Sequence, residues 1–340
     1  MTHDGGYRLG VDVGGTFTDL VLMAPDGRVL TRKVLSTIGN YADAIITGTR
    51  ALLADATLPP GAVGEVIHGT TVATNAILER RGARTGLITT AGFRDLLEIG
   101  RLRLSRLYDL DFERPAPLVP RRCRLEVTER MSHAGAVITP LDPSSAAAAI
   151  DRLTAEGVES IAVCLLHAYA DPAHEQAVGA LVKERAPGVA LTLSCEILPE
   201  MREFERTSTT VTNAYVMPVM ARYLESLERE LGRLGVQAPL LVMQSNGGVM
   251  TAAAGRWRPV HVIESGPAAG VIATAALARR IGEGNVISID MGGTSSIRRP
   301  TAAGCRASAR SRSAGAMSSA MSSPAPAAGA TRSSAIPSVS

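Results

Sequence analysis

Two segments far apart in the chain share one grammar, and that repetition restricts the fold more than any other feature. Near the start, Gly10-Val11-Asp12-Val13-Gly14-Gly15-Thr16-Phe17-Thr18-Asp19 sets an apolar strand before an aspartate, two glycines and two hydroxyls. Much later, Val286-Ile287-Ser288-Ile289-Asp290-Met291-Gly292-Gly293-Thr294-Ser295 repeats the pattern. Glycines let a backbone approach a ligand closely and turn its N–H groups toward it. Thr16 and Thr18 can donate hydrogen bonds to phosphate oxygens. Asp12 and Asp19 repel bare phosphate, but they make sense beside Mg2+, which keeps most of its waters and takes one or two carboxylates. One such loop alone also reads as a plain hairpin turn. Two of them, on two domains, are what a nucleotide held in an interdomain cleft requires, one loop at each end of its polyphosphate. No G-x-G-x-x-G opens a helix after either strand and no Gly-Lys-Ser/Thr follows, so neither is a Rossmann fingerprint or a P-loop.

The pattern between the loops is α/β. Tyr7 to Val13 reads as a strand, Asp19 to Ala24 as a second and Val29 to Leu35 as a third, with Pro25-Asp26-Gly27-Arg28 as a tight turn. Helical spacing follows over Tyr41 to Leu53, then a strand at Glu65 to His68 and a helix at Thr71 to Arg80 stopped by Gly82. Thr85 to Thr89, Ser160 to Leu166, Val189 to Leu193, Leu240 to Met243 and Asn285 to Asp290 read as further strands. Leu141-Asp142-Pro143 opens a helix to Leu153, and Pro172 to Arg185 and Pro267 to Arg280 are helical. Residues Leu102 to Arg122, rich in Arg and Pro, read as a long surface loop. Met220, Leu224, Leu227, Leu231 and Leu234 make one apolar stripe on a helix starting at Pro218, fit to pack on its own domain. Alternation of this kind suggests layers of helix and sheet.

Composition excludes several classes. Aromatic residues are 3% of the chain, so the core must be aliphatic. A net charge of +3, with no basic run interleaved with aromatics, does not imply nucleic acid. No stretch nears the roughly 18 apolar residues of a membrane span, and the polar start from Met1 to Gly6 lacks a signal-peptide core. The four cysteines, Cys123, Cys164, Cys195 and Cys305, form no CxxC pair, which removes zinc-ribbon spacing and fits a reducing cytoplasm. Cys164, inside an apolar run, reads as a small buried hydrophobe.

Paired Asp-x-Gly-Gly-Thr loops resemble those of the sugar kinase/Hsp70/actin superfamily. Further motifs narrow the resemblance: His68-Gly69-Thr70-Thr71-Val72-Ala73-Thr74-Asn75 and Thr85 to Asp95, then Glu205-Arg206 to Asn213, Gln244-Ser245-Asn246-Gly247-Gly248 and Glu264-Ser265-Gly266-Pro267 to Gly270. In this order they resemble the hydantoinase A/5-oxoprolinase family from about residue 7 to 295. That resemblance implies an actin/Hsp70/sugar-kinase-like N-terminal domain over 1–195, the incomplete start of a hydantoinase A/oxoprolinase domain over 196–296, and a tail over 297–340. It implies ATP and Mg2+, a cyclic amide substrate (a hydantoin, 5-oxoproline or related lactam) activated by phosphorylation of its carbonyl oxygen, and a hydantoinase B-type partner subunit. Gly14, Gly15, Thr16 and Thr18 would cradle phosphates, with Gly292, Gly293 and Thr294 as the second loop. Asp12, Asp19 and Asp290 would lie near the metal, and Asp12, Asp290 and His68 would serve the chemistry. Thr70, Thr71, Ser245, Asn246, Gly247 and Glu264 would meet the substrate. Blander readings stand beside these: His68 as a structural histidine, Asn75 facing its own helix, Ser245 to Gly248 as a tight turn, and Glu264 as a carboxylate at a helix entrance. Two other functions fit the motifs, the ATP-using subunit of a ketone carboxylase and a remnant without catalysis.

The text changes after Ser295. Residues 297–340 contain no Asp, Glu, Lys, Phe, Tyr or Trp and show no period. Such a composition cannot bury a core and is expected to be disordered. It is also what an out-of-frame read of a GC-rich gene spells, in a chain whose only lysines are Lys33 and Lys183.

Overall fold

A computed structural model of the chain describes residues 6–37, 41–101 and 114–289. The Asp290–Ser295 loop and the 297–340 tail lie outside these residues.

The first sheet begins as expected. Strand β1 (Tyr7–Val13) pairs antiparallel with β2 (Phe17–Met23), and β2 with β3 (Val29–Leu35). The Asp26-Gly27 turn closes through Gly27 N–H to the Ala24 carbonyl (3.0 Å), with Gly27 at φ +87°. Period two sends Leu9, Val11 and Val13 of β1 and Thr18, Leu20 and Leu22 of β2 into the core. Helix α1 (Tyr41–Asp55) crosses beneath, and β4 (Val63–Thr70) returns parallel to β1 before helix α2 (Val72–Leu78). The stop after α2 differs from expectation. Arg80 takes the left-handed conformation (φ +57°), whereas Gly82 is small because a Cβ there would sit 2.1 Å from the Tyr215 ring.

A second, wholly parallel sheet follows, in the order β10-β9-β5-β6. It is built from β5 (Thr85–Thr90), the short helix α3 (Leu96–Ile99) and β6 (Arg124–Val127). The hairpin β7 (Arg130–Met131) and β8 (Val137–Thr139) then leads to α4 (Pro143–Ala155) and β9 (Ser160–Cys164). Helix α5 (Ala173–Arg185), β10 (Ala190–Leu193) and the one-turn α6 (Ser194–Ile197) complete it. Asp142 caps α4 by accepting from Ser144 N–H at 2.9 Å, with Pro143 in the first turn. Strands β5 and β9 are buried at every position, which is why neither alternates with polar outward residues: β9 runs apolar from Ile161 to Cys164, and the threonines of β5 are buried with Leu87 and Ile88. Part of the expected surface loop also turns inward, since Val119 is fully buried in this core.

Helix α7 (Glu203–Leu234) is the largest departure from the sequence reading. It starts fifteen residues before Pro218, which stands inside it rather than at its head. Proline removes one N–H and strains the preceding turn; here burial on both sides of the proline holds the helix together. Val211 and Ala214 pack into the core of the second sheet. Met220, Leu224, Leu227 and Leu231 pack into the core of the first, with Leu234 against its edge. The expected stripe therefore docks on its own chain, each leucine contributing about 1.5–3 kcal/mol. Strand β11 (Leu240–Met243) then adds parallel to β4, so residues beyond 196 extend the sheet begun at residue 7. Strand β12 (Val249–Thr251), helix α8 (Ala252–Trp257) and helix α9 (Ser265–Ile281) follow. The first sheet has the order β12-β11-β4-β1-β2-β3. Residues 285–289, expected as a strand, pair with no strand among the described residues, and Ile287 and Ile289 are 88% and 87% exposed. A strand needs a ladder partner, and none of the described segments supplies one. No described helix is long and apolar enough to cross a membrane.

Candidate functional site

Three parallel strands, β1, β4 and β11, end on one edge of the first sheet. In open α/β sheets this carboxyl edge is where ligands bind. The loop after β1, Gly14 to Thr16, closes with Gly14 N–H donating to the Phe17 carbonyl (2.9 Å). Thr71, just after β4, donates its hydroxyl to the Val13 carbonyl (3.1 Å) and ties the two strand ends together. The Ser245–Gly248 turn follows β11. The first turn of α9 reaches the same edge, where the Ser265 hydroxyl donates to the Thr70 carbonyl (3.2 Å).

Strand register arranges one outward row across this sheet: Gly69 of β4, Asp12 of β1, Asp19 of β2 and Lys33 of β3. Asp12 is exposed, and its carboxylate leans over Gly69: a Cβ at residue 69 would meet Asp12 Oδ1 at 3.1 Å. Asp19 is bound by Lys33, with Nζ 2.7 Å from Oδ1 and 2.8 Å from Oδ2. Gly15 is exposed, its backbone stays outside the left-handed region, and nothing lies within 4 Å of where its Cβ would be. Thr16 is exposed beside it.

Other expected residues are placed differently. Thr18 points away from Asp19, fully buried, and its hydroxyl is spent on the fold: Ser36 Oγ donates to the Gly14 carbonyl (2.9 Å) and so accepts from Thr18 Oγ1 (2.9 Å). His68 does not lie past its strand but within it, completely buried. Its Nδ1 faces only the Val11 carbonyl (3.4 Å) and must donate, so Nε2 accepts from the Tyr223 hydroxyl at 2.7 Å. Burial pushes its pKa down to about 4, and the ring is neutral at pH 7. His68 thus pins α7 to the sheet and is closed to any ligand. Thr70 is buried and its Oγ1 accepts from Val72 N–H at 3.2 Å. Asn75 Nδ2 donates to Thr71 Oγ1 within its own helix turn (3.3 Å).

Ser245 and Asn246 serve their turn. The Ser245 hydroxyl donates to the His261 carbonyl (2.9 Å) and also touches that of Ile263, while Asn246 Oδ1 accepts from Gly248 N–H (2.9 Å). Gly247 needs to be glycine, with φ +85° and Ile272 of α9 packed over it. Glu264 is exposed at the head of α9 with φ +63°, a conformation costing a non-glycine residue about 1 kcal/mol or more. Its N–H donates to Thr74 Oγ1 (3.3 Å). Asp290, Gly292, Gly293 and Thr294 lie outside the described residues. Sequence reasoning missed Gly69, Lys33 and Ser36. Counting register outward from the Asp26-Gly27 turn would have set Lys33 opposite Asp19.

Among the described residues no group of three or more His, Cys, Asp or Glu could enclose a metal. Asp12 at an open glycine loop fits Mg2+, which takes one or two protein carboxylates and fills its shell with water and phosphate oxygens.

The chain is similar to known proteins over most of its length. Residues 8–186 match the family described as Hydantoinase/oxoprolinase N-terminal region, and residues 206–299 match Hydantoinase/oxoprolinase. Caprolactamase subunit alpha of Pseudomonas jessenii is 40% identical over 302 residues, covering 85% of this chain and 42% of its own length. The 5-oxoprolinase 1 of Arabidopsis thaliana is 34% identical, covering 86% of this chain and 25% of that protein. The crystal structure of the ATP-dependent caprolactamase superposes with a TM-score of 0.76 at 39% identity, over 85% of this chain and 42% of that one. A nucleotide-free acetone carboxylase superposes with a TM-score of 0.74 at 28% identity, over 82% of this chain and 41% of that one. The chain spans less than half the length of these relatives, and the α/β, actin-like fold is shared with both structures.

Proposed function

Since the chain belongs to the hydantoinase/oxoprolinase family, we propose that it supplies the phosphate-binding loops of an enzyme that hydrolyses a cyclic amide at the expense of ATP. The observation that carries the reading is the exposed Asp12 beside the open Gly14–Thr16 loop, at the carboxyl ends of three parallel strands. Backbone N–H groups of Gly15 and Thr16 would meet the phosphate oxygens, with the N–H groups at the head of α9 on the same edge. Asp12 would hold Mg2+, with Asp19 next to it in the same row, its charge met by Lys33. The metal's contribution is to neutralise charge on the transferring phosphoryl group. Asp290, Gly292, Gly293 and Thr294 form the second loop in this reading.

In the reaction, the lactam carbonyl oxygen takes the γ-phosphoryl group of ATP and ADP leaves. Water adds to the activated carbon, the ring C–N bond breaks with proton transfer to nitrogen, and inorganic phosphate departs. The relatives named for caprolactam and 5-oxoproline favour a lactam. The acetone carboxylase likeness favours a second reading, in which the same edge serves ketone carboxylation. Assay of the chain with a hydantoinase B-type subunit, on lactams and on ketones with bicarbonate, separates the two.

The direct test is MgADP binding by thermal unfolding and calorimetry. At ligand a hundredfold above Kd, stabilisation of about 2.7 kcal/mol is expected, and Asp12→Asn should remove most of it. Unchanged affinity in Asp12→Asn would sink the assignment.

A further inference from the structure

An apolar pair borders the Gly14–Thr16 loop on the outer face of the first sheet, and the phosphate reading leaves it without a role. Phe17 and Leu35 stand opposite each other on β2 and β3, at the end nearest the loop. They are 43% and 69% exposed. Period two puts Phe17 on the face of Asp19 and Leu35 on the face of Lys33, so the pair adjoins the Asp12–Asp19–Lys33 row. Asp12 stands opposite Asp19. Phe17 is therefore its diagonal neighbour, about 7–8 Å away and within reach of an aromatic side chain. Backbone bonds fix the pair to the loop: Gly14 N–H donates to the Phe17 carbonyl (2.9 Å) and Ser36 N–H to that of Thr16 (2.9 Å).

The fold makes little use of this ring. Thr18, Leu20 and Leu22 on the other face of β2 are buried, whereas Phe17 belongs to none of the hydrophobic cores. The Lys33 ammonium lies over one side of the ring, 5.0 Å from its centroid. A cation on one side leaves the other side and the edge to an apolar neighbour. Lone apolar residues on a surface are ordinary; here two of them abut, and they border a glycine loop beside an exposed carboxylate.

Phosphoryl transfer supplies the occupant. The accepting carbonyl oxygen must come within about 3–3.5 Å of the phosphorus. With phosphate at Gly15 and Thr16, the rest of the acceptor ring lies over the residues that adjoin the loop, and Phe17 follows it directly. A carboxylate on that ring would stand beside Asp12, Asp19 and the phosphates. Lys33 would not answer it, because its Nζ is already held by both Asp19 oxygens (2.7 and 2.8 Å).

We propose that Phe17, with Leu35 beside it, carries the hydrocarbon ring of the substrate and makes the site select an uncharged lactam over one bearing a carboxylate. This role rests on the phosphate reading of the Gly14–Thr16 loop.

The test is saturation-transfer NMR on the 340-residue chain with MgADP, titrated with 2-pyrrolidinone and with 5-oxoproline, the same ring bearing a carboxylate. The plain lactam should bind about fivefold tighter or more, with saturation strongest on its ring methylenes. Phe17→Ser should weaken it by about fivefold or more, and Phe17→Leu by about twofold, since part of the apolar surface remains. Met23→Ser removes an equally exposed side chain from the same face, about 20 Å further along β2, and should leave lactam binding unchanged. All three variants should bind MgADP as the wild type does. Equal or tighter binding of 5-oxoproline, no lactam binding at millimolar concentration in a chain that binds MgADP, or unchanged lactam affinity in Phe17→Ser would each overturn the proposal and leave the phosphate reading standing. An equal loss in Met23→Ser would mean adsorption to the whole sheet face and overturn it too. Failure of the wild type to bind MgADP would remove the phosphate reading and this proposal with it.

Discussion

Gly15→Ala separates a phosphate cradle from an ordinary hairpin. Nothing lies within 4 Å of the Cβ position at residue 15, and its φ is outside the left-handed region. The fold therefore has no use for a glycine there. Replacing such a glycine restricts the unfolded chain and should stabilise by about 0.4–1 kcal/mol, a rise in melting temperature of about 1–4 °C for a domain of this size. A ligand approaching the loop backbone, however, would collide with the added methyl. Losing one charge-assisted contact, at about 1.5–3 kcal/mol, weakens MgADP roughly tenfold to a hundredfold. Gly14→Ala serves as the contrast, because its Cβ would meet the Phe17 carbonyl oxygen at 3.1 Å and the loop itself must shift. Thermal unfolding and calorimetric titration of both variants decide the matter. If Gly15→Ala gains stability and keeps its affinity within twofold, no phosphate touches this loop, and the hairpin reading wins.

Gly69→Ala should displace the Asp12 carboxylate by a few tenths of an ångström and weaken MgADP severalfold with little change in stability, since Cβ would stand 3.1 Å from Asp12 Oδ1; urea unfolding beside titration checks it. Tyr223→Phe should cost about 1–3 kcal/mol by leaving His68 Nε2 buried without a donor, measured by chemical denaturation at pH 7.5. Glu175 is buried and accepts from Ser194 N–H (2.7 Å), with burial pushing its pKa up to about 7. Its folded value stands above the ordinary 4.5, so its contribution to stability is whole below pH 4.5 and lost by about 3 kcal/mol as pH rises through 7. The stability difference between wild type and Glu175→Gln should therefore shift by about that amount between pH 4.5 and 7.5, and a flat difference would refute it. His68 runs the other way: its pKa of about 4 lies below the ordinary value, so stability present above pH 6.5 is lost as pH falls toward 4.

What could be read from sequence was what local chemistry dictates. The β1–β3 meander followed from alternating Leu9, Val11 and Val13 and from Asp26-Gly27, and the head of α4 followed from Asp142-Pro143. The same period of two, carried further, would have set Thr18 with Leu20 and Leu22, and His68 with Val66 and Thr70, on the buried faces. Motif likeness drew both toward the ligand instead. The full α7 was hidden because Thr207 to Thr212 are mostly β-branched and Pro218 resembles a helix start, so tertiary burial overrode local preference. The neighbours of β5 and β9 could not be read at all, since strands buried on both faces carry no marker of which edge meets which partner.

Helix α7 passes its first half through the core of one sheet and its second half through the core of the other. Cut between residues 195 and 196, the N-terminal piece would keep every strand of the second sheet but lose the helix that covers it, and the first sheet would also lose β11 and β12. The chain is therefore not a pair of exchangeable modules. A loosening at either end of α7 is felt in both cores, and heat or denaturant should take the two sheets apart in a single transition rather than in sequence.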